Sequence, residues 1–289
     1  MKAIKILTLL VFVLALSCSD DKDDLPLSDT PNLIIILKFD PTQERMGNLG
    51  QPVSVATGNA AQSPSINKMS ANYIEFALTG TTALGTGEII YEGEGTSLGG
   101  ALAIDFQNAL FAGDNDTFLT IPLSQISEGN YEWVRVSLAY QEGGIDLLVN
   151  GQDTTGTLGS FIGYNSYITS FDLNGNTFDI NENKAQGFWA FEALGFTTQG
   201  QAPEGTTTVP NPLFNSSPIP QGSCVVTGEF ENGFQITGNE TQDVVVTLSF
   251  SINNSFEWTE VNTDGKYEPE AGEQVVDMGL RGLIPMVSN

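Results

Sequence analysis

The chain has 289 residues, of which 35 are acidic, 10 are basic and none is histidine, so its net charge at pH 7 is −25. Such a negative surface repels nucleic acids and anionic lipid headgroups, and we therefore expect no nucleic-acid partner. Hydrophobic residues make up 40% and aromatic residues 9% of the chain, which excludes disorder over most of its length.

The N-terminus has the pattern of a bacterial secretion signal. Lys2 and Lys5 precede an apolar run from residue 6 to residue 16, which is shorter than the ~20 residues of a membrane-spanning helix. The run ends in Leu-Ala-Leu-Ser before Cys18, and this end resembles the lipobox of lipoproteins. The resemblance implies a signal peptide over 1–17, lipid on Cys18 and attachment to a membrane through that lipid. An ordinary signal peptide with an incidental cysteine is the alternative.

Residues 18–32 are predicted to form a flexible tether, because they contain too few apolar side chains to fold alone. The acidic run directly after Cys18 is similar to the export signal of Bacteroidota-type surface lipoproteins. That similarity implies a lipid-anchored position on the outer membrane, facing outward. A plain solvated linker is the alternative.

Residues 33–289 have the pattern of an all-β protein, which we predict to be a single antiparallel β-sandwich domain. β-Branched and aromatic residues cluster in short runs separated by Gly, Asn, Asp and Pro, with no sustained helical period. The run 33–39 is apolar except for Lys38, as expected of a strand buried on both faces. Asn-Gly pairs at 150–151, 174–175 and 232–233 predict type I′ hairpin turns.

Two further segments modify this pattern. Residues 201–220 are rich in proline, which cannot donate to a central ladder, and are predicted to form an extended loop packed over the sandwich. Cys224 is the one cysteine left after lipidation of Cys18, so no internal disulfide is possible. We predict that Cys224 is a small buried residue at the start of a strand.

The absence of histidine removes the Ser-His-Asp triad, the Cys-His pair and imidazole metal sites. Carboxylate chemistry and oxygen-ligand metals remain. Because no catalytic constellation is recognisable, we predict that the protein is not an enzyme and has no catalytic residues. A carboxylate-dependent glycoside hydrolase is one alternative, since two suitably separated carboxylates would suffice.

Residues 260–277 contain a concentrated set of oxygen-bearing side chains. Calcium prefers six to eight hard oxygens supplied by a tight loop that turns at a glycine. The segment resembles the Asp-x-Asn-x-Asp-Gly…Gly-Glu loops of bacterial surface β-domains, which implies a structural calcium ion as cofactor. The implied ligands are the side chains of Glu260, Asn262, Asp264, Glu273 and Asp277 and the carbonyl of Lys266. The alternative is an acidic loop held by Asx-turns.

The remaining expectations concern the ligand. Aromatic residues near Trp189 occupy both odd and even positions of the same run, so they point to both faces of the strand. A ring that faces outward, such as that of Trp189, could stack on a glycan. The Tyr-Ile-Glu-Phe run at 73–76 and the Gln-Gly-Phe-Trp-Ala-Phe run at 186–191 look like the MbnP-like family of β-sandwich proteins. We predict a cell-envelope lipoprotein with a glycan or envelope-protein partner. The alternatives are a glycan-binding component of a polysaccharide-uptake system and an MbnP-like metal-handling protein, for which Cys224 and Met278 would be soft donors.

Overall fold

The computed structural model describes residues 30–46, 51–202, 217 and 219–288. The predicted signal peptide, Cys18, most of the tether and most of the proline-rich segment lie outside these residues. Among the described residues, no helix is long and apolar enough to cross a bilayer.

The described chain consists almost entirely of β-strands, joined by turns and a few short 3₁₀ segments. In chain order the strands are β1 (Asn32–Asp40), β2 (Asn59–Gln62), β3 (Ser65–Ala77), β4 (Glu88–Glu92), β5 (Gly95–Thr96), β6 (Ala103–Asp105), β7 (Thr117–Pro122), β8 (Gly129–Val149), β9 (Gln152–Phe161), β10 (Asn165–Leu173), β11 (Asn176–Ala185), β12 (Phe188–Ala193), β13 (Phe196–Gln201), β14 (Cys224–Ile236), β15 (Val244–Ser251), β16 (Phe256–Thr259), β17 (Val275–Asp277) and β18 (Arg281–Ser288). The predicted all-β class is confirmed.

Two sheets enclose the main core. The larger has the strand order β13-β12-β9-β8-β3-β4, with β14 paired to the first half of β8, and the smaller has the order β18-β15-β1-β7. Alternate residues of β1, from Leu33 to Phe39, are buried against Ile74 and Phe76 of β3 and against residues of β8. This packing of two sheets is the predicted β-sandwich. It removes several large apolar side chains from water, and each Å² of apolar surface buried in this way stabilises the fold by about 25 cal/mol.

Strand β1 differs from its prediction in two respects. Only one of its faces is fully buried, because Ile34 and Ile36 remain partly exposed on the other. It also pairs in parallel with β15, which brings Leu33 opposite Val244, while its other edge pairs antiparallel with β7. Its position as an inner strand of the sheet accounts for the lack of polar residues between 33 and 37.

A second layer lies on the far half of the large sheet. Strands β11, β10, β6 and β5 form a four-stranded sheet in that order. An aromatic cluster that includes Tyr140, Phe161 and Phe171 fills the space between this sheet and strands β8, β9 and β12. A third cluster, with Trp258 fully buried, lies beneath the acidic segment and joins β16 to the end of β8.

Two of the three hairpin predictions are confirmed. Asn150-Gly151 joins β8 to β9 and Asn174-Gly175 joins β10 to β11, and all four residues have positive φ. The prediction for Asn232-Gly233 is wrong, because the pair lies within β14. There β14 forms a bulge between Glu229 and Phe234, and it pairs with β8 on both sides of the bulge. The rings of Phe230 and Phe234 both pack on Phe76, which keeps the strand on the core instead of reversing it.

Candidate functional site

The acidic segment 260–277 folds around the carboxylate of Glu273. This buried side chain accepts hydrogen bonds from the backbone N–H groups of Val261 at 2.9 Å, Asn262 at 3.4 Å and Glu268 at 2.6 Å. Three donors on one carboxylate fix both arms of the loop to a single point. Glu273, predicted to be a calcium ligand, therefore has a structural role in holding the loop closed.

The turn at the tip of the loop is held by two more of the predicted ligands. Oε1 of Glu260 accepts from the N–H groups of Asp264 at 2.9 Å and Gly265 at 2.8 Å, and Oδ1 of Asp264 accepts from Lys266 N–H at 2.9 Å. Gly265 has φ of +73°, as a tight turn requires. Asn262 donates from its side-chain amide to Glu268. The second oxygen of Glu260 is buried and has no hydrogen-bond partner.

Asp277 lies apart from this loop. Its carboxylate is 3.5 Å from the guanidinium of Arg45 and accepts a hydrogen bond from Gly279 N–H at 3.0 Å. Across the part of the chain that is described, no group of three or more Cys, Asp or Glu side chains is arranged to hold a metal ion. The predicted ligands are thus close in the chain, but the loop uses their oxygens largely for its own backbone amides. Calcium binding stays a prediction.

The acidic loop is attached to the end of the β8–β9 hairpin. Leu148 N–H donates to the carbonyl of Tyr267 at 2.8 Å, and the ring of Tyr267 packs edge-on against Phe256. Lys266 Nζ forms an ion pair with Asp153 at 2.6 Å. The hydrogen bond to Asp153 raises the pKa of Lys266 above its ordinary value, so the ammonium stays charged in the neutral range.

A groove of about 470 Å³ lies where this loop meets the hairpin. It is lined by Gln62, Asp146, Leu147, Asp153, Thr154, Thr155, Gly265 and Lys266, and six of these eight residues have a polar side chain. Thr155 is opposite Asp146 in the ladder and donates to its carboxylate at 3.1 Å. The amide of Gln62 bonds to both backbone groups of Asp146 and so occupies the free edge of β8. Carboxylates, hydroxyls and a lysine thus share one concave surface.

Trp189 lies elsewhere, on the large sheet near its β13 edge. Its indole is half-buried and covers Gly200 of β13, since a Cβ on that glycine would lie 2.5 Å from the ring. Phe191, on the same face of β12, covers Gly156 of β9. Asp146 and Thr155 line the groove, and their side chains project from the opposite face of the sheet. Trp189 is therefore not part of the groove.

The two proposed soft donors do not form a site. Cys224 begins β14, as predicted, and is half-buried against the main core. Met278 packs instead on the third cluster beneath the acidic loop. This arrangement gives no support to a metal site shared by the two residues.

Sequence reasoning missed two buried ionic groups. Glu75 is fully buried on β3, accepts hydrogen bonds from Gly85 and Gly87 N–H, and lies 3.6 Å from Nη1 of Arg135. Arg45 pairs with the buried carboxylate of Glu257 on β16. The available signal for Glu75 was a charged residue placed directly between the apolar residues Ile74 and Phe76.

The six cations whose side chains are described are all paired with acids. The pairs are Lys38–Asp40, Arg45–Glu257, Lys68–Glu142, Arg135–Glu75, Lys184–Glu182 and Lys266–Asp153. Local neutralisation of these cations leaves the excess acids to dominate the surface potential. The field around the folded domain should therefore repel anionic ligands.

No protein-family model, no curated protein and no solved structure matches this chain.

Proposed function

We propose that the protein is a non-enzymatic lipoprotein of the outer membrane, anchored through Cys18, facing outward and acting as a binding module. The lipobox-like end of the apolar run and the acidic residues after it support the anchor and the location. Mass spectrometry of the mature protein tests the anchor: a lipid-modified N-terminus at residue 18 is expected, and an unmodified N-terminus at another residue contradicts it.

The groove beside the β8–β9 hairpin is the observation that supports a binding role best. Its volume of about 470 Å³ lies in the range of small-ligand sites. Asp146, Asp153 and Thr154 offer acceptors and donors to hydroxyl groups, while the net charge of the chain disfavours anions. We therefore propose a neutral glycan as the ligand.

The hydrogen bonds of the buried acids support a binding function without catalysis. Glu75, Glu192 and Glu273 each accept hydrogen bonds from backbone N–H groups of neighbouring turns, and Glu257 accepts one from Ala56 N–H. In the groove, Asp146 is bonded to Thr155 and Asp153 to Lys266. These acids have structural partners, which favours binding over hydrolysis.

Replacing Asp146 with alanine tests the groove. We expect neutral oligosaccharides identified on a glycan array to bind wild type and to bind Asp146→Ala at least about tenfold more weakly, since a charged hydrogen bond is worth ~1.5–3 kcal/mol. Titration calorimetry measures the difference. Asp172→Ala is the matched control, because Asp172 accepts from Thr177 at 2.6 Å in the β10–β11 hairpin, away from the groove.

Three results would contradict this proposal. Binding of no glycan, or equal weakening in both variants, would remove the groove as the site. Release of shortened sugars during incubation would make the protein a glycoside hydrolase.

We also propose calcium binding at the acidic loop, favoured by the buried, unpartnered oxygen of Glu260. When bound, the ion would neutralise the negative charges of the loop. Glu260 and Asp264 fit the role of ligands because they lie together at the glycine turn. Asp277 does not fit, because it is paired with Arg45.

Comparing thermal unfolding in chelator and in millimolar calcium measures how much calcium stabilises the protein. Calcium is expected to stabilise the wild type, by about 2.7 kcal/mol at a hundredfold excess over the dissociation constant. Asp264→Ala should lose most of this rise, and Asp277→Asn should keep it, because Asp277 is paired with Arg45 instead. No rise in wild type, or an equal rise in Asp264→Ala, would reject the site.

A further inference from the structure

Edge strands present unpaired backbone groups, and proteins normally protect them with charge, proline, bulges or shortness. Most described edges of this protein have such protection. Strand β18 contains Pro285, β7 ends at Pro122, β14 contains a bulge, and β4 and β11 contain charged residues. Strands β2, β5 and β17 are only two to four residues long.

Strand β13 has none of these protections. Its sequence, Phe-Thr-Thr-Gln-Gly-Gln, contains no charge and no proline, and all six residues pair with β12 without a register shift. Among the described strands, β12 is its sole partner in the ladder. Phe196 is 80% exposed and Leu194, in the preceding turn, is 65% exposed. An unprotected edge with exposed apolar side chains indicates a partner strand.

Charge favours a second copy of the chain as that partner. No residue from 194 to 202 is ionisable, although the chain as a whole has a net charge of −25. Two acidic copies approach each other with the least repulsion at such a neutral edge, and charges beyond ~8–10 Å are largely screened at physiological ionic strength.

The side chains of β13 are also complementary to themselves. Residues 196, 198 and 200 share one face of the strand. If a two-fold axis passes between two antiparallel copies at Thr198, Phe196 of each copy lies opposite Gly200 of the other. The indole of Trp189 already covers Gly200 on that face. Phe196 of the second copy would therefore fill the space beside Trp189, and aromatic pairs of this kind add ~0.5–1.5 kcal/mol.

We propose that β13 is the interface of a two-fold dimer, in which the large sheets of two copies join edge to edge with Thr198 opposite Thr198. The pairing satisfies the open backbone groups of both edges and covers Phe196. It is independent of the ligand proposed for the groove, which lies at the end of the β8–β9 hairpin.

Disulfide crosslinking of the full chain tests this arrangement. In a Cys224→Ala background, Thr198→Cys places two thiols across the axis, where cross-strand Cβ atoms lie ~4.5–5.5 Å apart and a small shift permits a disulfide. Mild oxidation should give about tenfold more covalent dimer with Thr198→Cys than with the control Thr117→Cys. Thr117 is exposed on β7, an edge strand that ends in proline. Equal or absent crosslinking in the two variants would overturn the proposal.

Sedimentation of the same full chain in detergent gives a second measurement. Wild type should sediment as a dimer, and Thr198→Lys and Phe196→Ser should each shift it to monomer while its far-ultraviolet circular dichroism spectrum stays that of wild type. Leu98→Ser is the matched control, because Leu98 is 76% exposed in the turn between β5 and β6, away from β13. A monomeric wild type, or an equal shift with Leu98→Ser, would reject β13 as the interface.

Discussion

Replacing Glu75 with alanine is expected to lower the free energy of unfolding by about 3–5 kcal/mol. The substitution leaves the largely buried guanidinium of Arg135 without its acid and removes the acceptor of two backbone N–H groups, those of Gly85 and Gly87. Arg135 keeps its hydrogen bond to the carbonyl of Thr82 at 2.6 Å. Urea unfolding at pH 7 measures the change.

The matched control for this experiment is Glu182→Ala. Glu182 also forms an ion pair, with Lys184, but its side chain is mostly exposed, so a change below about 1 kcal/mol is expected. A similarly small change in Glu75→Ala would contradict a structural role for the buried pair.

Replacing Arg45 with methionine should have an effect of similar size, about 3–5 kcal/mol at pH 7, because it leaves two buried carboxylates beside each other. Arg45 is paired with Glu257 and lies 3.5 Å from Asp277. These contacts tie the segment after β1 to strands β16 and β17. Arg45→Lys, which keeps the charge, should lose clearly less stability.

The pH dependence of stability separates charge from packing at this site. Burial tends to raise the pKa of Glu257, but hydrogen bonds from Asn59, the N–H of Ala56 and Arg45 outweigh it, and the net pKa is lowered. A lowered folded-state pKa contributes stability above the ordinary carboxyl pKa and loses it as the pH falls through the folded value. The difference between wild type and Arg45→Met should therefore narrow from pH 7 to pH 3 in urea unfolding. A constant difference would indicate lost packing alone.

The sequence predicted the fold class because strand signals are local. Asn150-Gly151 and Asn174-Gly175 specify hairpins through two successive residues with positive φ. The same signal failed at Asn232-Gly233, where only Gly233 has positive φ. Packing of Phe230 and Phe234 against a distant ring decided that conformation, and no local pattern encodes it.

The candidate site was predictable only in part. The spacing of oxygen-bearing residues identified the acidic loop, and Glu260, Asp264 and Glu273 do act within it. The direction in which each carboxylate points depends on which backbone amides are free, and that follows from the folded turn. The groove could not be predicted, because Gln62, Asp146 and Lys266 are brought together by contacts between segments far apart in sequence.

The parallel pairing of β1 with β15 has a consequence for the order in which the sheets fold. The N–H of Asn32 bonds to Asp243, which lies 211 residues later in the chain. Strand β1 cannot complete its sheet until β15 and β18, more than 200 residues later in the chain, have been synthesised. Contacts of such long range form late because closing large loops costs entropy. We therefore expect the sheet that contains β1 to close after local hairpins such as β8–β9 and β10–β11 have formed.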